Sequence, residues 1–408
     1  MRIEKSLFRA PALSLASQAI GVVQLFALLW RHGASNATDA YFYLFNLGNL
    51  PTQILIVGVL YPMLLNEQRI TRGAARKFGY IVSGVSLGAI ALGWAWLTYT
   101  GRVTDDLIPI ICLSAFNAAF QALIWHRAVL AEADGTPQWI SAVALPANFL
   151  ATCVILLPWP NSTVTVTAMM VALVSANGLF LISMISLRVG RAVLDRLPAT
   201  SLVKHRAPWW FLAKSGVGYG GLMVVQSISL VLPPSTLTLL TVPMKIVASV
   251  SATFTNAILP RLIHQSSTSP EEGRRFLRLA AGGLAIAGTL LFLGARLFLP
   301  EYSLTALVIA LWLVASAASS VAQRLAFRFL KPSASRITLI VVPVIVVATL
   351  VSSKFDGFGL ISLLCAYAAV DAASGCLLLF ALRDRLMAFV TTLILVNLGT
   401  IWLFVLAS

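Results

Sequence analysis

The chain has 408 residues, of which 59% are hydrophobic and only 11% are charged, and its mean hydropathy is +0.90. Soluble globular proteins carry roughly a quarter charged residues, so this composition excludes a soluble globular chain and predicts that lipid surrounds much of it. The net charge of +15 is spread along the chain and forms no single basic face, so the sequence predicts no nucleic-acid partner.

Thirteen apolar runs follow one another along the chain. They lack the period-2 alternation of barrel strands, and a spanning segment must satisfy its own backbone hydrogen bonds, so the runs predict transmembrane helices. The predicted spans are 12–30, 40–65, 79–98, 107–130, 138–157, 164–187, 209–232, 237–262, 279–299, 304–328, 337–352, 358–382 and 387–406.

The basic residues support this topology, because they gather in every second connecting segment, as expected for a cytoplasmic N-terminus. The predicted external segments hold only Arg31, Arg102, Arg296 and Lys354 of the 29 Lys and Arg residues. All four cysteines fall inside predicted spans, so neither a disulfide framework nor a zinc site is expected.

A parallel internal repeat relates the two halves of the chain at an offset of 198 residues. The segment 61–68 aligns with 259–266, and both copies end a span at a proline that a basic loop follows. An even number of spans separates the copies, so they share one orientation. The sequence therefore predicts an all-α polytopic membrane protein with two six-helix lobes around a central cavity, residues 1–200 and 201–385, and an additional helix over 386–408. Two facing lobes are typical of transporters that work by alternating access, although a channel or a scaffold can also duplicate.

Polar residues inside the predicted spans form stripes. Amides and hydroxyls are spaced to share one helix face in several spans, and these candidates for substrate binding are Gln24, Asn46, Asn49, Gln53, Ser114, Asn117, Gln121, Gln226, Ser249 and Asn256. Amides could bind sugar hydroxyls in a wet cavity, or they could hold helices together, and the sequence leaves both interpretations open.

Three of the charged side chains within the predicted spans are candidates for a functional role. Lys245 and Lys214 are candidates for binding phosphate oxygens, although Lys214 lies near a span end and could reach the membrane surface instead. Asp371 is the only acid well inside a span, which makes it a candidate coupling site for Na⁺ or H⁺; pairing with a Lys or a backbone group is the alternative.

No constellation for catalysis is recognisable. The four histidines lie at predicted span ends or in loops without metal-ligand spacing, and a phosphate-binding Gly-x4-Gly-Lys-Ser/Thr loop is absent. We therefore expect no enzyme activity, no direct use of ATP, and no cofactor beyond a possible coupling ion.

The segment 33–42, GASNATDAYF, follows a first span that contains SQAIG, and it resembles the lipid II flippases of the MurJ type. These belong to the multidrug/oligosaccharidyl-lipid/polysaccharide exporter superfamily. Weaker matches are LPRL at 259–262 and AVDA at 369–372. The resemblance implies a two-lobe core with a cationic cavity for a lipid-linked pyrophosphate, in the bacterial cytoplasmic (inner) membrane. It places Lys245 where the family has a cavity arginine, and it places Asp39, with Arg31, near an external gate. An N-cap role for Asp39 on the second span is the alternative.

The sequence also departs from this family. Gln24-Leu25 stands where the family usually has Arg-Asp, Thr52-Gln53 stands where it has two arginines, and about thirteen spans replace fourteen. We therefore expect a less cationic cavity that accepts a lipid-linked oligosaccharide or peptidoglycan-type precursor and moves it to the external leaflet. An ion-coupled multidrug or peptide exporter and a membrane scaffold are the alternatives. The expected partners are this lipid-linked glycan and the bilayer, and the expected state is a monomer.

Overall fold

The computed structural model describes residues 2–65, 70–198, 209–264, 270–329 and 336–407, and at some helical positions within these ranges it describes the backbone alone. Regular structure within these ranges is helical throughout. The helices are α1 (Arg2–His32), α2 (Asn36–Pro51), α3 (Tyr61–Leu65), α4 (Arg72–Tyr99), α5 (Ile108–Ala133), α6 (Gln138–Ala142), α7 (Leu145–Ile155), α8 (Ser162–Ser186), α9 (Arg191–Arg196), α10 (Trp209–Ser229), α11 (Thr236–His264), α12 (Pro270–Phe298), α13 (Ser303–Phe329), α14 (Arg336–Ser352), α15 (Leu360–Ala381) and α16 (Arg385–Ala407).

Ten helical stretches among the described residues are long and apolar enough to cross a membrane. Each coincides with one of the predicted spans, so the chain is a multi-pass membrane protein. The other three predicted spans coincide with α10, α11 and α14. The described apolar parts of α11 and α14, Thr236–Ser251 and Leu339–Ser352, are shorter than the ten stretches, and α10 is not among the ten. The total of thirteen spans stays a prediction.

The second span changes its helical form midway. After α2 ends at Pro51, the backbone continues as a π-helical segment, Thr52–Leu60, and returns to α-helical form in α3. Proline lacks the N–H that would bond the carbonyl four residues before it, which favours a local change in hydrogen bonding at this point. A π-helical stretch of nine residues is unusually long, and such stretches often lie at functional sites.

The chain divides into two compact units, Met1–Thr238 and Leu239–Ser408. The first unit holds α1 to α10 and the first turn of α11. The division into lobes over 1–200, 201–385 and 386–408 is not tested by this clustering of contacts and stays a prediction.

In the first unit, α2, α4 and α5 pack closely because glycines replace side chains at the crossing points. A Cβ built on Gly48 would lie 2.8 Å from Ile90 Cδ1 and 2.8 Å from Ala118 Cβ. One built on Gly93 would lie 2.7 Å from Leu47 Cδ2. These contacts set an antiparallel register of α2 against α4.

In the second unit, α13 and α15 are the most buried of the described helices that are long enough to span a membrane. Small residues line the contact, and a Cβ on Gly375 of α15 would lie 3.3 Å from the backbone nitrogen of Ser319 of α13. At the crossing of α12 and α13, a Cβ on Gly288 would lie 2.8 Å from Ala310 Cβ. Small residues allow such close approach in membrane helices, where van der Waals packing drives association.

The same turn ends the sixth predicted span of each half. Arg188 after α8 and Arg383 after α15 both adopt positive φ, 53° and 60°, which is unusual for a residue other than glycine. In both turns the next residue donates its N–H to the carbonyl five residues earlier, Val189 to Met184 and Asp384 to Leu379. This is the Schellman arrangement, a common way for a helix to end.

Candidate functional site

Asp39 of α2 caps the first turn of α11. Its carboxylate accepts hydrogen bonds from the backbone N–H of Ser235 at 2.7 Å, from the backbone N–H of Thr238 at 2.7 Å and from the Thr238 hydroxyl at 2.5 Å. Asp39 is only 1% exposed. A carboxylate at a helix N-terminus satisfies backbone donors that have no partner within the helix, and it interacts favourably with the helix dipole.

The N-cap of α2 itself is Ser35, not Asp39. The Ser35 side chain accepts from the N–H of Thr38, and the Thr38 side chain in turn bonds the Ser35 backbone. The Thr38 hydroxyl also lies 2.8 Å from the Thr238 hydroxyl. The local N-cap interpretation of Asp39 is therefore wrong, because its carboxylate bonds a segment almost 200 residues later in the chain.

Arg102 forms hydrogen bonds with the turn that connects α10 to α11. Its guanidinium donates to the carbonyl of Leu230 at 3.2 Å and to the carbonyl of Leu232. The Arg102 carbonyl accepts a hydrogen bond of 2.8 Å from the Asn36 side chain. Together with Asp39 and Thr238, Arg102 forms what we term the turn clasp, which holds residues 230–238 against α2 and α4.

α10 makes further polar contacts with α2 and α4. The Asn46 amide donates to the Gln226 side-chain oxygen at 3.0 Å, so two of the predicted amides do meet. The Tyr43 hydroxyl lies 3.1 Å from the Ser227 hydroxyl, and the Trp96 indole donates to the Ser227 carbonyl at 3.1 Å. These bonds explain why α10 belongs to the first compact unit.

The rest of the α2 stripe has different surroundings. Asn49 donates to the carbonyl of Phe45 in its own helix at 3.0 Å, and Gln53 is half-buried at the start of the π-helical segment. The structure therefore brings one of the three α2 amides, Asn46, together with a candidate from another span.

The α5 stripe lies inside the first unit. Asn117 is 2% exposed and accepts a hydrogen bond of 2.8 Å from Asn177 of α8. Ser114 and Gln121 are buried on the same helix. Asn117 therefore joins α5 to α8, whereas the buried Ser114 hydroxyl has no hydrogen-bond partner among the described residues. A role in substrate binding stays a prediction for all three residues.

Gln24 of α1 is also buried. Its amide donates to the Met169 sulfur of α8 at 3.5 Å, and it shares a hydrogen bond with the Tyr41 hydroxyl of α2. Arg31, the second predicted gate residue, is exposed in the last turn of α1.

Lys245 of α11 belongs to the second unit. Its side chain is half-buried, and it forms no ion pair with any residue that the structure describes. Ser249 follows one turn later and is also half-buried. The side chains of Lys214 and Asn256 lie outside the described ones, so their predicted roles are not tested.

Asp371 of α15 lies in a polar cluster with α13. One carboxylate oxygen accepts a hydrogen bond of 2.8 Å from the Trp312 indole. The carboxylate also bonds the hydroxyls of Ser316 and Ser319, and Ser316 lies 2.7 Å from the Ser251 hydroxyl of α11. Within the described part of the chain, the partners of the Asp371 carboxylate are these side chains, and they include neither a lysine nor a backbone group.

The comparison with solved structures places this arrangement in a known architecture. The chain superposes on the lipid II flippase MurJ in its inward closed conformation with a TM-score of 0.67 and 12% sequence identity, over 96% of this chain and 92% of that one. The chain has the fold of MurJ. At this identity the likeness establishes the fold and not the cargo.

Two structures of a MATE transporter align with lower TM-scores. A mutant of the Vibrio cholerae MATE transporter VcmN aligns over 94% of this chain and 98% of its own length, with a TM-score of 0.49 and 14% identity. VcmN in its bent form aligns over 98% of each chain, with a TM-score of 0.43 and 12% identity. No protein-family model matches the sequence, and no curated protein does.

Two members of the turn clasp gave no signal in the sequence. In the sequence, Arg102 is one of four basic residues in predicted external segments, and Thr238 is a threonine at the start of a predicted span. Their contacts with Leu230, Leu232 and Asp39 join segments that are 128 to 199 residues apart. A periodic pattern within one helix cannot reveal such partners.

Proposed function

We propose that this chain is a flippase that moves a lipid-linked oligosaccharide or a peptidoglycan-type precursor from the cytoplasmic to the external leaflet by alternating access. The fold of MurJ, over nearly the full length of both chains, is the observation that carries the proposal. A bacterial cytoplasmic membrane and a cytoplasmic N-terminus belong to the same proposal, and they are supported by the alternation of basic segments.

Lys245 is the proposed phosphate-binding residue. No acidic side chain among the described residues pairs with this half-buried ammonium group, so an anionic ligand could take the place of such a partner. One lysine supplies less positive charge than an arginine cluster would, which favours a cargo that binds largely through its sugar. A separate proposal within the first unit is that the paired amides of Asn46 and Gln226 recognise sugar hydroxyls.

The turn clasp is the proposed external gate. It buries the Asp39 carboxylate under three hydrogen bonds, and it holds the α10–α11 turn through two Arg102 contacts. An outward-open state would require these bonds to break and the donors and acceptors to become hydrated. Hydration limits the free energy needed for this step, because water replaces the lost protein partners.

The test uses proteoliposomes that contain a fluorescent undecaprenyl-pyrophosphate-linked sugar, in which dithionite quenches only the outer leaflet. The wild-type chain should move the label between leaflets. Lys245→Ala should reduce this rate at least tenfold while the protein still inserts and elutes as one species, whereas Lys354→Ala, in an exposed loop, should leave the rate unchanged. Unaltered flipping by Lys245→Ala would remove Lys245 from the site.

Asp371 supports a second candidate function, the ion-coupled export of cationic drugs. Its carboxylate contacts the Trp312 indole, and the Trp312 ring lies 5.7 Å from the Tyr367 ring, so an acid and two aromatic rings are close together. Acids and aromatic faces bind organic cations. In either function, we propose that Asp371 takes up the coupling ion, Na⁺ or H⁺.

These two functions are distinguishable in the same vesicles. A drug exporter should extrude ethidium when a Na⁺ or H⁺ gradient is imposed, and Asp371→Asn should abolish that response, whereas Asp356→Asn in an exposed loop should not. Ethidium export without movement of the lipid-linked sugar would favour the second candidate. Lipid flipping by Asp371→Asn that still follows the gradient would exclude Asp371 as the coupling site.

A further inference from the structure

Three buried hydroxyls in the first unit have no protein hydrogen-bond partner among the described residues, and one of them is that of Ser114 in α5. The other two lie in the second and third predicted spans. They belong to Thr52, the first residue of the π-helical segment, and to Ser86 of α4. Both residues are 0% exposed. Buried hydroxyl groups are almost always hydrogen-bonded, so two of them without a protein partner need an explanation.

The packing register places these residues opposite each other. Gly48 of α2 contacts Ile90 of α4. Further along the second span and towards the start of α4, Ile56 and Val82 belong to one apolar cluster. Thr52 lies four residues from both Gly48 and Ile56, and Ser86 lies four residues from both Ile90 and Val82. Since residues four apart share a helix face, Thr52 and Ser86 occupy the level between these two contacts.

The third side of this level is formed by α5, with small side chains. Ala118 contacts Gly48, and Ala122, one turn further, is 0% exposed in the same cluster as Ile56. Neither alanine offers a polar atom beyond its backbone. Because both side chains are single methyl groups, they occupy less of the space beside the two hydroxyls than a larger residue would.

A third polar group to consider is the carbonyl of Leu47, one helical turn before Pro51. Pro51 has no N–H, so the carbonyl of Leu47 lacks the donor that an α-helix would supply. Two hydroxyls and one carbonyl match the two to four partners that a buried water molecule needs. A metal cation fits less well, because hard cations take about six or more oxygen ligands with carboxylates among them, and none of Thr52, Ser86, Ala118 and Ala122 carries a carboxylate.

We propose that Thr52 and Ser86 hold one ordered water molecule between α2 and α4, at the start of the π-helical segment. The water accepts from one hydroxyl and donates to the other groups, and it satisfies polar atoms that the altered backbone of the second span leaves unbonded. This site is independent of the proposed transport function, because it follows from the packing of the first unit alone.

The sign of a stability change tests this proposal. If a water bridges the hydroxyls, Thr52→Val and Ser86→Ala each remove a hydrogen bond, and each should lower the melting temperature of the detergent-solubilised protein by about 2 to 6 °C. The double variant should fall little further than the lower single variant, since both changes disrupt one water. If no water is present, each change removes an unsatisfied polar group, and the melting temperature should stay the same or rise.

The control is Thr349→Val in α14, where a 0% exposed threonine donates to the carbonyl of its own helix at 2.8 Å. It reports the effect of removing a buried hydroxyl that already has a protein partner. A high-resolution cryo-EM map of the wild-type chain supplies the second measurement, in which density should lie about 2.7 to 3.2 Å from both hydroxyl oxygens. Unchanged or raised melting temperatures in both single variants, or density with six oxygen neighbours, would overturn the proposal.

Discussion

Removing the Asp39 carboxylate should destabilise the first unit more than removing any exposed acid. Asp39→Ala eliminates three hydrogen bonds to a charged acceptor, each of which contributes about 1.5 to 3 kcal/mol in proteins. The three donors regain part of this by contacting water near the end of the span, and their contributions are not additive. We therefore expect a net loss of about 2 to 3 kcal/mol in the free energy of unfolding.

For a unit of this size such a loss corresponds to a fall of about 4 to 12 °C in melting temperature. The assay is fluorescence-detected size exclusion of the solubilised protein after heating. Asp106→Ala is the matched control, because Asp106 is an exposed acid near the same end of the first unit. Thr238→Val should have a smaller effect, since it removes the hydroxyl contacts but keeps the backbone bond to Asp39.

A double-mutant cycle between Asp39→Ala and Thr238→Val isolates the clasp. Because the two side chains bond directly, the combined loss should fall short of the sum of the single losses by about 0.5 to 3 kcal/mol. Additive losses, or an Asp39→Ala shift no larger than that of Asp106→Ala, would refute the reasoning that the clasp stabilises the first unit.

Two further predictions concern helix ends. Arg278→Ala leaves the fully buried Asp384 carboxylate without its 2.9 Å ion pair and should lower the free energy of unfolding by about 1 to 2 kcal/mol. This loss is smaller than that of a fully buried pair, because the Arg278 side chain is 48% exposed. The melting temperature should fall further than in the control Arg275→Ala, which changes an exposed arginine. Gly190→Ala should lower the free energy of unfolding by about 2 kcal/mol or more, because φ is 76° and the new Cβ would lie 2.7 Å from a neighbouring side chain. Gly135→Ala, where φ is 82° but the space is open, should lower it by only about 1 kcal/mol. Equal melting temperatures for the two variants would contradict this difference.

The sequence by itself determined that the chain is a multi-pass helical membrane protein. Each of the ten spans that the structure identifies among the described residues begins and ends within seven residues of a predicted apolar run. The physical reason is local: in lipid a segment must bond its own backbone groups, so about 20 consecutive apolar residues suffice to specify a helix. The resemblance carried by residues 33–42 also anticipated the fold that the comparison with MurJ shows.

Only the tertiary structure decided the partners of the polar groups. Asn46 and Asn117 are equivalent in the sequence, since each is an amide in a polar stripe. In the structure Asn46 donates to Gln226 of α10, whereas Asn117 accepts from Asn177 of α8. Asp39 caps a helix that starts almost 200 residues later. Periodicity fixes which face of a helix a residue occupies, but the neighbour of that face depends on how distant helices pack, and hydrogen bonds form only between groups that this packing brings within about 3 Å.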